Sequence, residues 1–169
     1  MEKALKEWTG NGVSAFVQLG ASNHFEGQRE AHDFYATDPK ALELFASRYE
    51  IPKNVWEPCC GMGHLSEVLF GLGCQVFSTD LVDRGYGIGG VDFFSLDKAL
   101  GNSSSRDYAI LTNPPYRYAS IFCKHALSLL SEGQRLILLL KTTFLEGTGR
   151  YREIFEKTPP GIFISTLNV

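Results

Sequence analysis

The chain has 169 residues, 44% hydrophobic, 12% aromatic and 21% charged, with a formal net charge of −3. This profile excludes a disordered or fibrous protein, and the length lets one domain bury a core without metal or disulfide staples. The acidic balance excludes a nucleic-acid binder held by bulk charge, though not one with a local basic face.

The residues 1–33 read as a loop-rich extension, with Gly10, Asn11, Gly12, Gly20, Ser22, Asn23 and Gly27, ahead of a domain over 34–169. The start, Met1-Glu2-Lys3, has no apolar signal core. Asp38 is placed to cap a helix, Pro39 suits its first turn, and Ala41, Leu42, Phe45 and Tyr49 mark one face of it. Asn54 to Pro58 reads as a strand running into the turn Cys59-Cys60-Gly61-Met62-Gly63. A helix follows, with Met62, Leu65, Leu69 and Leu72 on one side and Gly71 and Gly73 at its end. Gln75 to Asp80 is a second strand with an acid at its carboxyl end, which completes a βαβ unit.

Leu81 to Gly90 is a glycine-rich loop, and Val91-Asp92-Phe93-Phe94 reads as a short third strand. Tyr108 to Thr112 is the fourth, ending in Asn113-Pro114-Pro115-Tyr116. A helix is expected from about Ala119 to Ser131 with Ile121, Phe122, Ala126 and Leu129 inward. Arg135 to Thr143 is a fifth, apolar strand, as a central parallel strand should be. A helix from about Gly149 to Lys157 and a sixth strand over Ile162 to Leu167 complete the pattern. Strands alternating with helices predict an α/β fold with a parallel sheet covered on both faces.

The longest apolar run, Leu136 to Leu140, is far short of the roughly 18 residues that span a bilayer. Cys59, Cys60, Cys74 and Cys123 form no CxxC pair. No metal site is therefore expected, and free thiols point to a reducing cytoplasm.

Ligands of such sheets bind beyond the carboxyl ends of the strands. There the sequence gathers Glu57, the Gly61/Gly63 turn, Asp80, Asp92, Phe93 and Asn113 to Tyr116. The turn alone is a weak signal, because Ser66 stands where a dinucleotide fingerprint has its third glycine. Asp80 lies about 20 residues further on, where an acid accepts the hydroxyls of an adenosine ribose. Glu57 would repel a diphosphate and suit a ligand carrying an ammonium and a sulfonium, which favours S-adenosylmethionine over a nicotinamide dinucleotide.

Asn113-Pro114-Pro115-Tyr116 is the most informative segment. Two prolines remove two donors and fix two φ angles, so the carbonyls are aimed rigidly. The Asn113 side-chain oxygen and the Pro114 carbonyl can both accept from one planar NH₂ group. Gripping its hydrogens turns its lone pair toward a methyl donor, with positioning supplying most of the effect. Tyr116 can stack on a planar substrate, a contact worth roughly 1–3 kcal/mol. The plain alternative is a Pro-Pro turn that only ends a strand.

With these residues in place the chain resembles a class I S-adenosylmethionine-dependent methyltransferase, most closely the N6-adenine DNA methyltransferases in the gamma motif order. Phe34-Tyr35-Ala36-Thr37-Asp38-Pro39 resembles motif X, Val55 to Gly63 motif I, Asp80 motif II, Asp92-Phe93 motif III and Asn113 to Tyr116 motif IV. The stretch from Gly20 to Pro39 also resembles small methyltransferases of phages and mobile elements. The resemblance implies a Rossmann-like fold and turnover of S-adenosylmethionine to S-adenosylhomocysteine without a metal. It implies that Tyr35 and Thr37 close over the methionine end of the cofactor. Glu57, Pro58, Cys59, Gly61 and Gly63 would line its methionine and sulfonium region, Asp80 and Leu81 its ribose, and Asp92 and Phe93 its adenine. Asn113 and Pro114 would hold the target amine, Asn113 also touching the cofactor, with Pro115 stiffening the turn and Tyr116 stacking on the base. A duplex adenine would have to be flipped out to reach them.

Set against that family, a target-recognition domain is not expected in this sequence, nor a strand after the sixth, where the family sheet has a seventh; a truncated product and a minimal enzyme are the two readings of that departure. A monomer or weak dimer acting on DNA is expected, away from membranes. Enzymes that methylate an RNA base or a protein glutamine amide share the four-residue motif. A non-catalytic S-adenosylmethionine-binding module is a further alternative. Among weaker signals, Phe144 is a candidate second wall of the base pocket or a core aromatic, and Lys141 and Arg150 are candidate phosphate contacts or solvated charges.

Overall fold

The computed structural model describes residues 38–164. Four short parallel strands form its sheet: β1 (Asn54–Glu57), β2 (Gln75–Ser78), β3 (Tyr108–Thr112) and β4 (Arg135–Leu138), in the order β2-β1-β3-β4. Val55 pairs with Val76 on one side and Ala109 on the other, and Ile110 pairs with Leu136. Three helices cover the sheet: α1 (Pro39–Ala46), α2 (His64–Gly71) and α3 (Ala119–Leu129).

Strand residues alternate between two cores, as the pleat requires. Val55, Leu111 and Ile137 pack with Leu42 of α1 and Leu65 and Leu69 of α2. Trp56, Ile110 and Leu136 pack with Phe122 and Ala126 of α3. The fold is therefore α/β with helices on both faces, compatible with a Rossmann-like architecture. Each fully buried Leu or Phe contributes roughly 1.5–3 kcal/mol.

The expected caps form where the sequence placed them. Asp38 accepts the Lys40 N–H at 3.0 Å, with Pro39 in the first turn of α1. Helix α2 is narrower than expected: Leu65, Ser66 and Leu69 are buried, whereas Met62 and Leu72 are exposed. Helix α3 buries Ala119, Phe122, Cys123 and Ala126, an i, i+3, i+4, i+7 stripe that leaves Ile121 outside. In α1 only Leu42 is fully buried, and Tyr49 lies beyond the helix against Phe45.

Three expected elements form differently. Val91 to Phe94 makes no strand; Asp92 accepts the Phe94 N–H at 3.0 Å and starts a 3-10 turn, Phe93–Ser95. The loop before it has positive φ at Gly85, Gly87 and Gly90, which interrupts a ladder and leaves a single Thr79–Ile88 bridge against β2. The fifth strand stops at Leu138, plus one bond from the Leu139 N–H to the Thr112 carbonyl. Beyond Asn113 its neighbour offers Pro114 and Pro115, which have no N–H, and the chain turns into a 3-10 helix over Thr142–Leu145. The helix expected at Gly149 begins as Thr148–Arg150 and continues as a π turn, Tyr151–Phe155, in which the Glu156 N–H reaches the Tyr151 carbonyl at 2.8 Å. Ile162 to Ile164 belong to no strand, and the rest of the expected sixth strand lies outside the described residues. No helix among the described residues is long and apolar enough to cross a membrane.

Candidate functional site

Strand β1 lies between β2 and β3, so the chain order reverses direction in the sheet between β1 and β3. The carboxyl ends of these strands flank the crevice where open α/β sheets bind ligands. Both strand ends carry the segments singled out from sequence: Glu57 to Gly63 after β1 and Asn113 to Tyr116 after β3.

The turn after β1 needs its glycines. Gly61 has φ 55° and Gly63 φ 85°, and a Cβ on Gly63 would overlap the Tyr86 ring. Tyr86 is anchored by its hydroxyl, which donates to Glu67 Oε1 at 2.9 Å. Asp80 holds the same turn from the other side. Its Oδ2 accepts the Gly61 N–H at 2.8 Å, and its Oδ1 accepts the Val82 N–H at 2.9 Å and Arg84 Nη1 at 3.1 Å. These donors leave Asp80 about one lone-pair direction of the roughly four on a carboxylate. Leu81 beside it is exposed.

Glu57 differs from its expectation. It is 1% exposed, and its carboxyl is bound by the Ser66 hydroxyl of α2, which in turn lies 2.6 Å from Ser78 Oγ of β2. Burial pushes its carboxyl up to about 8, with the nearby Asp80 charge adding to the rise and the Ser66 hydroxyl opposing it. At neutral pH Glu57 is therefore mostly a neutral acid packed beneath the turn. It presents no charge to a ligand, so the expected repulsion of a diphosphate is absent.

Pro58 is buried and Cys59 half-buried at the start of the turn. Burial, reinforced by the Asp80 and Glu57 charges, raises the Cys59 thiol. Burial likewise pushes Cys60 up to about 12. Neither is poised as a thiolate nucleophile. Among the described residues no group of three or more His, Cys, Asp or Glu side chains is gathered as for a metal ion.

After β3, Asn113 is half-buried with its Oδ1 shielded from solvent, and Pro114 is buried. Pro115, at φ −56° and ψ 119°, turns the chain into the 3-10 turn Tyr116–Tyr118. Tyr116 lines a 140 Å³ hollow with Leu140, Lys141, Thr143, Phe144 and Arg150. Phe144 and Tyr116 thus line one hollow, while Phe144 also packs edge-on against Phe155 at 5.9 Å. Arg150 is engaged by the protein itself. Its Nε donates to the Phe144 carbonyl at 2.6 Å and its Nη2 to the carbonyls of Thr143, at 2.9 Å, and Glu146.

Asp92 and Phe93 do not stand together at an open cleft. Asp92 is exposed and caps its turn, whereas Phe93 is 5% exposed and stacks on Phe122 at 4.1 Å in the core. Tyr35 and Thr37 lie outside the described residues.

Sequence reasoning missed Ser66, Arg84 and Tyr86 as the groups that brace the turn. Ser66 had a signal, since it lies one helical turn past Gly63 on the buried face with Leu65 and Leu69. Arg84 had a weaker one, four residues after Asp80 in an otherwise glycine-rich loop. No protein-family model matches the chain, and neither does any curated protein.

Proposed function

We propose that this protein transfers a methyl group from S-adenosylmethionine to the exocyclic N6 amine of adenine in DNA. The observation that carries this reading is the seating of Asn113-Pro114-Pro115-Tyr116 after β3, across the sheet's crossover from the Gly61/Gly63 turn after β1. S-adenosylmethionine supplies, when bound, a methyl group on a positively charged sulfur. The residues fit such a ligand in part. Gly61 and Gly63 are buried, the latter against the Tyr86 ring, so a ligand reaches that backbone only if Tyr86 moves; Asp80 retains about one lone-pair direction for a ribose hydroxyl, and a second hydroxyl requires Arg84 to turn aside.

The chemistry asked of the protein is modest. The adenine amine is a poor nucleophile because its lone pair is delocalised into the ring. Asn113 Oδ1 and the Pro114 carbonyl accept its two hydrogens and favour a pyramidal nitrogen with a directed lone pair. The Pro114-Pro115 pair keeps these acceptors from shifting, so orientation is fixed before reaction. Tyr116 stacks on the base and excludes water from one face. No strong base is needed, because the proton leaves only after the nitrogen has become cationic.

The reading is tested by tritiated-methyl transfer with three acceptors: unmethylated duplex DNA, ribosomal RNA and a release-factor protein. Label on DNA is expected. Label confined to RNA or protein would retain the Asn113 chemistry and overturn the DNA assignment.

A further inference from the structure

A phenol ring fills the space over the glycine turn. Tyr86 lies so close to Gly63 that a Cβ there would overlap its ring, and Gly61 and Gly63 are both buried. Yet this turn follows β1 at the sheet's crossover, where a ligand is expected. The ring is tied down by its hydroxyl, which donates to Glu67 Oε1 of α2 at 2.9 Å. Tyr86 also borders a 660 Å³ groove along β2, an edge strand of the sheet. Phe70, Val76, Phe77 and Ile88 line this groove, with Phe70 72% and Ile88 51% exposed. The groove is far larger than one phenol ring.

We infer that Tyr86 is a gate: its ring closes the Gly61/Gly63 turn and swings into the groove beside β2 when S-adenosylmethionine enters. The inference rests on the proposed cofactor and adds what controls its access. The ring has two apolar seats, one on the glycine turn and one against Phe70, Val76 and Ile88. Either removes ring surface from water, so neither wins by a wide margin. The bond to Glu67 weights the closed seat. The loop itself is anchored on both sides of Tyr86. The Gly85 N–H donates to Asp83 Oδ1 at 2.9 Å and the Ile88 N–H to the Ser78 carbonyl at 3.0 Å. Opening is therefore a change of side-chain rotamer and leaves the backbone in place. A ligand that binds only the open form has its apparent affinity reduced by the fraction of protein that is open. Whatever weakens the closed seat then tightens binding.

The test is calorimetric titration with S-adenosylhomocysteine, which reads binding without turnover or nucleic acid. Tyr86→Phe and Glu67→Ala each remove the hydroxyl–carboxylate bond and should tighten binding by about three- to tenfold. Glu67→Gln keeps an acceptor and should stay near wild type. Tyr86→Ala should bind tightest, and urea midpoints verify the fold; were it to unfold, Tyr86→Phe and Glu67→Ala carry the test. Weaker or unchanged binding in these variants overturns the gate, because Tyr86 is then a wall of the site or a bystander. Ring position is read directly by fluorine NMR of the full chain with 3-fluorotyrosine at position 86. Its signal should move when S-adenosylhomocysteine binds, and move the same way in ligand-free Glu67→Ala. A signal that stays put in both cases overturns the gate alone. A signal that moves in Glu67→Ala while no variant binds S-adenosylhomocysteine upholds the gate and sinks the proposed reaction alone.

Discussion

Replacing Asn113 by alanine is expected to lower methyl transfer by about 10²–10³-fold, a larger loss than any in S-adenosylmethionine affinity. That range is typical for removing one preorganised polar contact to the reacting group. Asn113 follows β3 directly and its Oδ1 is shielded from solvent, while Tyr116, three residues on, lines a hollow with Phe144. The Gly61/Gly63 turn keeps its sequence in this variant, so rate and cofactor affinity are read separately. Asn113→Asp keeps an acceptor oxygen and should lose less than the alanine variant. Steady-state kinetics with cofactor titration checks both. An unchanged rate in Asn113→Ala would remove the catalytic reading of the segment.

The second large effect is on stability and concerns Glu57. Its carboxyl is raised in the fold to about 8 from an ordinary 4.5, chiefly by burial. A raised acid stabilises the fold through its neutral form. The contribution is complete below pH 4.5 and is lost as pH climbs through 8, at up to ~1.4 kcal/mol per pH unit. Wild-type protein should therefore lose stability between pH 5 and pH 8. Glu57→Gln keeps an acceptor for the Ser66 hydroxyl and cannot ionise. It should remove this dependence and be the more stable protein at pH 8. Urea midpoints at pH 5, 6.5 and 8 measure the difference between the two proteins, which cancels other titrations common to both. Parallel pH profiles would show that Glu57 is not the buried neutral acid described.

Much of the frame was legible in the sequence, for local reasons. Asp38 before Pro39 marks the start of α1 by capping chemistry alone. Strand β3 is a short, mostly apolar run ended by Asn113-Pro114, and β1 sets Val55 and Trp56 ahead of Pro58, which offers no N–H. That the segments after β1 and after β3 lie at the same end of the sheet follows from parallel topology once those strands are placed. Most of what escaped depended on partners distant in sequence. The length of β4 is set by the prolines after β3, which leave its later residues without donors. The third strand failed because Asp92 captures the Phe94 N–H, a local bond that competes with a ladder. Phe93 was read beside Asp92 as part of a cleft, yet its ring goes to Trp56 and Phe122, contacts visible only in three dimensions. The charge state of Glu57 depends on how completely α2 covers it, and spacing carries no record of that.

The most direct measurement is the identity of the methylated atom. DNA incubated with the protein and deuterated-methyl S-adenosylmethionine would be digested to nucleosides and resolved by mass spectrometry. The proposed reaction yields label on N6-methyl-2′-deoxyadenosine, the product expected if Asn113 and Pro114 hold the adenine amine. Label on the C5 carbon of cytosine, or unlabelled DNA from a protein that binds the cofactor, would contradict it.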